Sequence, residues 1–82
     1  MTEPIILDRI SGVFQDVFDD PALIVRPETT TEDIADWDSV AQVKLVLALE
    51  DAFGIRFTSE EVTSAKSVGG FLDAIKRKGN LG

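Results

Sequence analysis

The stretch from Ser39 to Phe53 constrains the fold more than any other part of the sequence, because a helix formed by it is apolar around most of its circumference. At about 100° per residue, its large aliphatic side chains fall on two opposite sides. Such a helix needs several neighbours to cover it, and Gly54 ends it because glycine readily takes the left-handed conformation found after helix ends. The sequence therefore predicts a helical bundle around this segment. Its large apolar residues are Val40, Val43 and Leu47 on one side, Leu45 and Leu49 on the other, and Val46 and Phe53 between them.

Three further helices are predicted to surround it. The first is predicted from Ile6 to Phe18, where the apolar residues lie on one helical face. Thr58 and Glu61 have the spacing of a capping box, which predicts the start of a short third helix. Ser67 is placed to cap the fourth helix. No segment alternates as a strand would. We expect an all-α fold, a small four-helix bundle with a long loop between helices one and two and a short third helix. The predicted helices cover about 4–18, 39–53, 59–65 and 68–78 of a single domain, residues 1–82.

The composition excludes several classes of function. Cysteine and histidine are both absent, which removes disulfides, thiolate metal sites and catalytic triads that need an imidazole. Fifteen acidic and eight basic residues give a net charge of −7, which argues against nucleic acid as a partner. The longest apolar run, Leu45 to Leu49, is too short to span a membrane. We therefore expect a cytoplasmic, non-catalytic protein with no metal site, no membrane span and no nucleic-acid partner.

The dipeptide Asp38-Ser39 is the most informative candidate site, because it places a hydroxyl at the first turn of the most apolar helix. A phosphate esterified there would lie near free backbone amides and the positive end of the helix dipole. The Asp38 carboxylate is suited to hold a divalent ion during phosphoryl transfer. An ordinary helix cap explains the same residues, and Ser39 with Gln42 also fits a capping box. Spacing alone leaves both interpretations open.

The segment Asp38–Ile55 reads Asp-Ser-Val-Ala-Gln-Val-Lys-Leu-Val-Leu-Ala-Leu-Glu-Asp-Ala-Phe-Gly-Ile. It resembles the second helix of acyl carrier proteins, whose pattern is Asp-Ser-Leu-x-x-Val-Glu-Leu-Val-x-x-Leu-Glu-x-x-Phe, and length, acidity and helix order extend the likeness. The resemblance implies that Ser39 carries 4'-phosphopantetheine, transferred from coenzyme A by a phosphopantetheinyl transferase, with Asp38 supporting the transfer. It also implies a monomer that catalyses nothing and carries acyl groups as thioesters.

The partners implied by the resemblance are acyl ligases, synthases or acyltransferases of lipid, polyketide or other specialised biosynthesis. Lys44 stands where fatty-acid carriers generally have an acidic residue, which is a reason to doubt a role in central fatty-acid synthesis. Helical spacing also predicts an exposed stripe on the second helix, formed by Ala41, Lys44, Ala48, Asp51 and Ala52. The predicted partner-binding residues are Val40, Ala41, Lys44, Ala48, Glu50, Asp51, Glu60 and Glu61, and the predicted acyl-chain pocket consists of Val43, Val46, Leu47, Val62 and Ala65.

Two other functions compete with this interpretation. The carrier would load an amino acid if it belongs with aminoacyl or peptidyl carrier proteins, and the sequence does not distinguish the cargo. An unmodified helical interaction module would use Ser39 only as a cap and bind a partner helix on the stripe. The only tryptophan, Trp37, is expected either to pin the loop to the core or to contact the prosthetic arm.

Overall fold

The computed structural model describes residues 3–79, and the predicted domain of residues 1–82 extends beyond this range at both ends. Four helices follow in order: α1 (Glu3–Val17), α2 (Ser39–Phe53), α3 (Ser59–Ser64) and α4 (Val68–Gly79). Between residues 3 and 79 the only β pairing is an isolated antiparallel bridge between Thr30 and Ser67. The predicted all-α fold with a long first connection and a short third helix is confirmed.

The helix bounds lie within one residue of the predicted ranges, and those of α2 coincide with them. The small difference at the end of α1 has a backbone cause. Asp19 adopts a left-handed conformation with φ 52°, and the Asp20 N–H donates to Gln15 O at 3.0 Å. This bonding pattern closes the last turn of a helix before the chain leaves it. At α2, Gly54 takes the predicted left-handed cap with φ 64°.

The core is an aromatic cluster surrounded by aliphatic side chains from α1, α2 and α4. Trp37, the residue before the Asp38-Ser39 pair, is 6% exposed and lies inside this cluster. Its ring meets Phe14 edge to face at 5.1 Å between centroids and stacks on Phe71 at 6.4 Å. The prediction that Trp37 pins the long loop to the core is therefore confirmed. The aliphatic residues of the core are Ile6, Ile10, Val25, Ala41, Leu45, Leu49, Ala65, Val68, Leu72, Ala74 and Ile75.

The long loop is also fastened to the start of α4. The Val68 N–H donates to Thr29 O and the Gly69 N–H donates to Pro27 O, both at 2.8 Å. The first amides of a helix have no partner within that helix, so the loop carbonyls satisfy them. The loop is thereby fixed at this point and again at Trp37.

The exposed side of α2 differs from the predicted one. Ala41, expected on the exposed stripe, is only 7% exposed because α2 packs through the row that it forms with Leu45 and Leu49. The opposite apolar residues, Val43 and Leu47, are 57% and 61% exposed instead. The placement of Ala41 was wrong because a helix with two apolar sides does not reveal from spacing alone which side its neighbours cover.

Two helical glycines predict opposite effects of the same substitution. A Cβ at Gly12 meets nothing within 4 Å, so Gly12→Ala is expected to stabilise the fold by about 0.5–1 kcal/mol through helix propensity. A Cβ at Gly69 would lie 2.8 Å from Pro27 O, so Gly69→Ala is expected to cost about 1–3 kcal/mol. Urea unfolding of both variants measures the difference. A lower midpoint for Gly12→Ala, or an unchanged one for Gly69→Ala, would contradict this account.

Candidate functional site

Asp38 caps α2 and leaves Ser39 as the first helical residue. The Asp38 backbone is extended, with φ −111° and ψ −168°, and its Oδ1 accepts the Ala41 N–H at 2.9 Å. Ser39 is exposed. Because Asp38 supplies the cap oxygen, the Ser39 hydroxyl is not required for that purpose. The alternative in which Ser39 and Gln42 form a capping box is wrong, since the Gln42 amide bonds elsewhere.

Gln42 connects three parts of the molecule through one side chain, an arrangement called here the Gln42 bridge. Its Oε1 accepts the Trp37 Nε1–H at 2.7 Å. Its Nε2 donates to Val62 O at 3.0 Å and to Ala65 O at 3.1 Å. The bridge thus joins the loop before Ser39 and the first turns of α2 to the last turn of α3. Sequence reasoning missed this role, although a buried tryptophan N–H usually needs an acceptor and Gln42 is a polar residue close to it.

An open cavity of about 600 Å³ adjoins Ser39. It lies between the beginning of α2 and the end of α3 with its C-cap residue, Ala65. Three of the five residues predicted for the acyl-chain pocket, Val43, Val62 and Ala65, line it. Leu47 instead borders a separate surface hollow beside Glu50, and Val46 packs against the core. The lining residues are Thr31, Trp37, Asp38, Ser39, Gln42, Val43, Val62, Thr63, Ala65 and Lys66.

The residues predicted for partner binding divide into exposed and structurally engaged groups. Glu50 is half-buried, and its Oε2 accepts the Phe57 N–H at 2.8 Å, which fixes the connection between α2 and α3. Ala48 is half-buried and Ala41 is buried. The exposed members of the predicted set are Val40, Lys44, Asp51 and Glu60.

Glu61 takes part in two contacts that hold α3. It forms the predicted capping box with Thr58, in which Thr58 N–H donates to Glu61 Oε1 at 2.8 Å and Glu61 N–H donates to Thr58 Oγ1 at 3.1 Å. Its carboxylate also pairs with the Lys78 ammonium on α4. The hydrogen bond from Lys78 is the main reason that the pKa of Glu61 lies below its ordinary value, with the Thr58 N–H adding to it.

Comparison with known proteins identifies the family. Residues 8–75 match the model of the phosphopantetheine attachment site. Acyl carrier protein 2 of Ralstonia nicotianae is 39% identical over 77 residues, covering 93% of this chain and 94% of that protein. The chain belongs to the acyl carrier protein family. The acyl carrier protein of Acidothermus cellulolyticus is 36% identical over 70 residues, which cover 85% of this chain and 83% of that protein.

A solved structure agrees with this assignment. The solution structure of holo acyl carrier protein from Geobacter metallireducens superposes with a TM-score of 0.81 at 35% identity, covering 88% of this chain and 83% of that one. The prediction of covalently bound 4'-phosphopantetheine is therefore confirmed, and so is the prediction of a carrier rather than an enzyme. Members of an acyl carrier family interact with synthases and transferases in general.

The surroundings of Ser39 fit such a group. The hydroxyl is on an exposed residue at the N-terminal end of α2, where the helix dipole favours a phosphate, and the adjacent cavity is open to solvent. When bound, the group supplies the thiol that this cysteine-free chain lacks. No helix within residues 3–79 is long and apolar enough to cross a membrane. The same range holds no cluster of carboxylates that would bind a metal ion.

The lowered pKa of Glu61 predicts a loss of stability in acid. A carboxyl group whose pKa is lower in the folded state stabilises the fold above its ordinary value of 4.5, and this contribution disappears as the pH falls through the folded-state pKa. Thermal unfolding between neutral and acidic pH should therefore show a smaller decrease in Tm for Glu61→Gln than for the unchanged protein. Glu60→Gln, on the same helix, serves as the control, and equal decreases for all three proteins would contradict the prediction.

Proposed function

We propose that Ser39 is the attachment residue for 4'-phosphopantetheine and that the protein carries acyl intermediates on this arm as thioesters. The observation that carries the proposal is the position of Ser39. It is the exposed first residue of α2 and adjoins an open cavity, and its hydroxyl is not needed as a helix cap because Asp38 caps α2. These features leave its hydroxyl accessible to an enzyme that adds the arm. The family match over residues 8–75 supports the same assignment.

Asp38 supports the transfer in this proposal. The hydrogen bond from the Ala41 N–H holds its carboxylate directly beside Ser39. A carboxylate in that place is suited to a magnesium ion bound between the phosphoryl donor and the transferase. Asp38 would then serve both as the cap of α2 and as a contact in the transferase complex.

Replacement of Ser39 tests the attachment directly. We expect Ser39→Ala to gain no mass when incubated with a phosphopantetheinyl transferase, coenzyme A and magnesium, because the accepting hydroxyl is gone. Its helical circular dichroism should stay close to that of the unchanged protein, since Asp38 still caps α2.

Ser59→Ala is the matched control, because Ser59 is the exposed first residue of α3 in the same way that Ser39 begins α2. This control should gain one phosphopantetheine. Modification of folded Ser39→Ala, or loss of modification in Ser59→Ala, would show that the attachment residue is misassigned.

The partner enzymes are proposed to dock on the exposed side of α2. That side presents Val40, Val43 and Leu47, which are 57–63% exposed, next to Lys44 and Asp51. Apolar side chains at the centre of an interface supply binding energy, while charges around them set the association rate and reject wrong partners. Lys44 places a positive charge on this surface. We therefore propose a specialised pathway of lipid, polyketide or other biosynthesis rather than central fatty-acid synthesis.

Reversal of the Lys44 charge tests this choice of partner. At low salt, Lys44→Glu should accelerate association with enzymes of fatty-acid synthesis that present a basic docking surface, because exposed charges act through long-range attraction that salt screens. Stopped-flow association rates measure the effect. Arg9→Glu changes the net charge equally from an exposed position on α1 and should have a smaller effect. Equal rates for both variants would refute a specific role of Lys44.

The cargo is to be established by loading the holo protein with candidate ligases. An acyl-activating ligase that charges the arm supports the acyl carrier function, whereas charging by an amino-acid-activating ligase supports an aminoacyl or peptidyl carrier. A cytoplasmic location, a monomeric state and a single domain over residues 1–82 complete the proposal.

A further inference from the structure

The route from the open cavity beside Ser39 into the core is crossed by a polar side chain. Cargo that followed this route would run along Val43 and Val62 towards the core, as predicted for the acyl-chain pocket. Gln42 lies on this route and spans it, with bonds of 2.7 Å to Trp37 on one side and of 3.0 and 3.1 Å to Val62 O and Ala65 O on the other.

The cavity beside Ser39 ends on packed side chains. Among its lining residues, Trp37 and Ala65 are only 6% and 4% exposed, and both belong to the core. The Trp37 ring is held between Phe14 and Phe71. A hydrocarbon chain could lengthen this cavity inwards only by displacing either the aromatic cluster or the Gln42 bridge.

Displacement of Gln42 is unfavourable because it removes the acceptor of the Trp37 Nε1–H and a donor to the carbonyls of Val62 and Ala65. Of these two carbonyls, Val62 O keeps only a longer bond of 3.4 Å from the Ala65 N–H. When an apolar group displaces the hydrogen-bond partner of a partly buried donor or acceptor, the loss of that hydrogen bond destabilises the fold. Methylene groups cannot replace the bonds that Gln42 makes.

We propose that Gln42 is a specificity-determining residue that confines the cargo to the open cavity beside Ser39 and keeps it out of the core beyond Trp37 and Ala65. The inference rests on the proposed attachment of the arm at Ser39. The arm and its cargo then lie in the open cavity, whose lining includes the polar residues Thr31, Thr63 and Lys66. The class of cargo that fits this arrangement is short or polar acyl groups rather than long hydrocarbon chains.

The unchanged protein provides the first test. A transferase loads it with amide-linked arms that end in acetyl, butyryl or dodecanoyl groups, and intact mass verifies each product. We expect the three proteins to melt within about 1 °C of one another. The Trp37 indole N–H should give the same NMR resonance in each, and this signal is unambiguous because the chain has one tryptophan. A dodecanoyl arm that raises Tm by more than about 4 °C and shifts this resonance would overturn the proposal.

Removal of the bridge provides the second test. In Gln42→Ala, unlike in the unchanged protein, Tm should depend on the length of the acyl chain and rise from the acetyl to the dodecanoyl arm. Gln15→Ala is the matched control, because Gln15 Nε2 also donates to a backbone carbonyl, Leu23 O, at 2.9 Å, but far along the chain from this site. A general loss of packing would affect both variants, whereas a dependence on chain length should appear only in Gln42→Ala.

The outcomes separate this inference from the proposed function. If folded protein gains no arm, the assignment of Ser39 fails and the role of Gln42 fails with it. If the arm attaches and chain length alters the unchanged protein, only the role of Gln42 fails. A folded Gln42→Ala without chain-length dependence would also overturn it, and should that variant not fold, the result on the unchanged protein decides.

Discussion

The hydrogen bond between Trp37 and Gln42 fixes the parts of the molecule on which the site depends. Trp37 fills the core against Phe14 and Phe71, so the chain segment that enters α2 has little freedom to shift. Gln42 passes this restraint to α3 through the carbonyls of Val62 and Ala65. The exposed hydroxyl of Ser39 therefore lies on a rigid base, although the residue itself makes no contribution to the cap.

Local sequence patterns predicted the helices and their caps. The partners of Gln42 and the buried side of α2 depend on contacts between residues distant in the sequence, and local patterns did not predict them. The cap of α3, the glycine after α2 and the four helix ranges depend on neighbours a few residues away, and all were found from the sequence. The prediction that Gln42 forms a capping box with Ser39 was wrong because the acceptors of its amide, Val62 O in α3 and Ala65 O just after it, lie 20 and 23 residues further along the chain. The burial of Ala41 was not predicted for a similar reason, since only packing against the other helices decides which of the two apolar sides of α2 is buried.

The acidic character of the protein is distributed unevenly between structure and surface. Glu50 holds the α2–α3 connection and Glu61 holds α3 to Lys78, so both carboxylates are committed within the molecule. The side of α2 that follows Ser39 is instead apolar, with Lys44 beside it. Shape and apolar contact should thus weigh more than charge attraction in recognition of this surface, because an exposed ion pair contributes only about 0–1 kcal/mol.

Because the long loop is attached to the beginning of α4, its conformation depends on residues that are synthesised after Ser39. Pro27 and Thr29 bond to amides of Gly69 and Val68, and Trp37 stacks on Phe71. A nascent chain that has emerged from the ribosome only through α2 exposes Ser39 but lacks these partners. The segment before Ser39 lacks these contacts until α4 has been made, so an enzyme that required the folded conformation of this segment would act only after α4 had been translated.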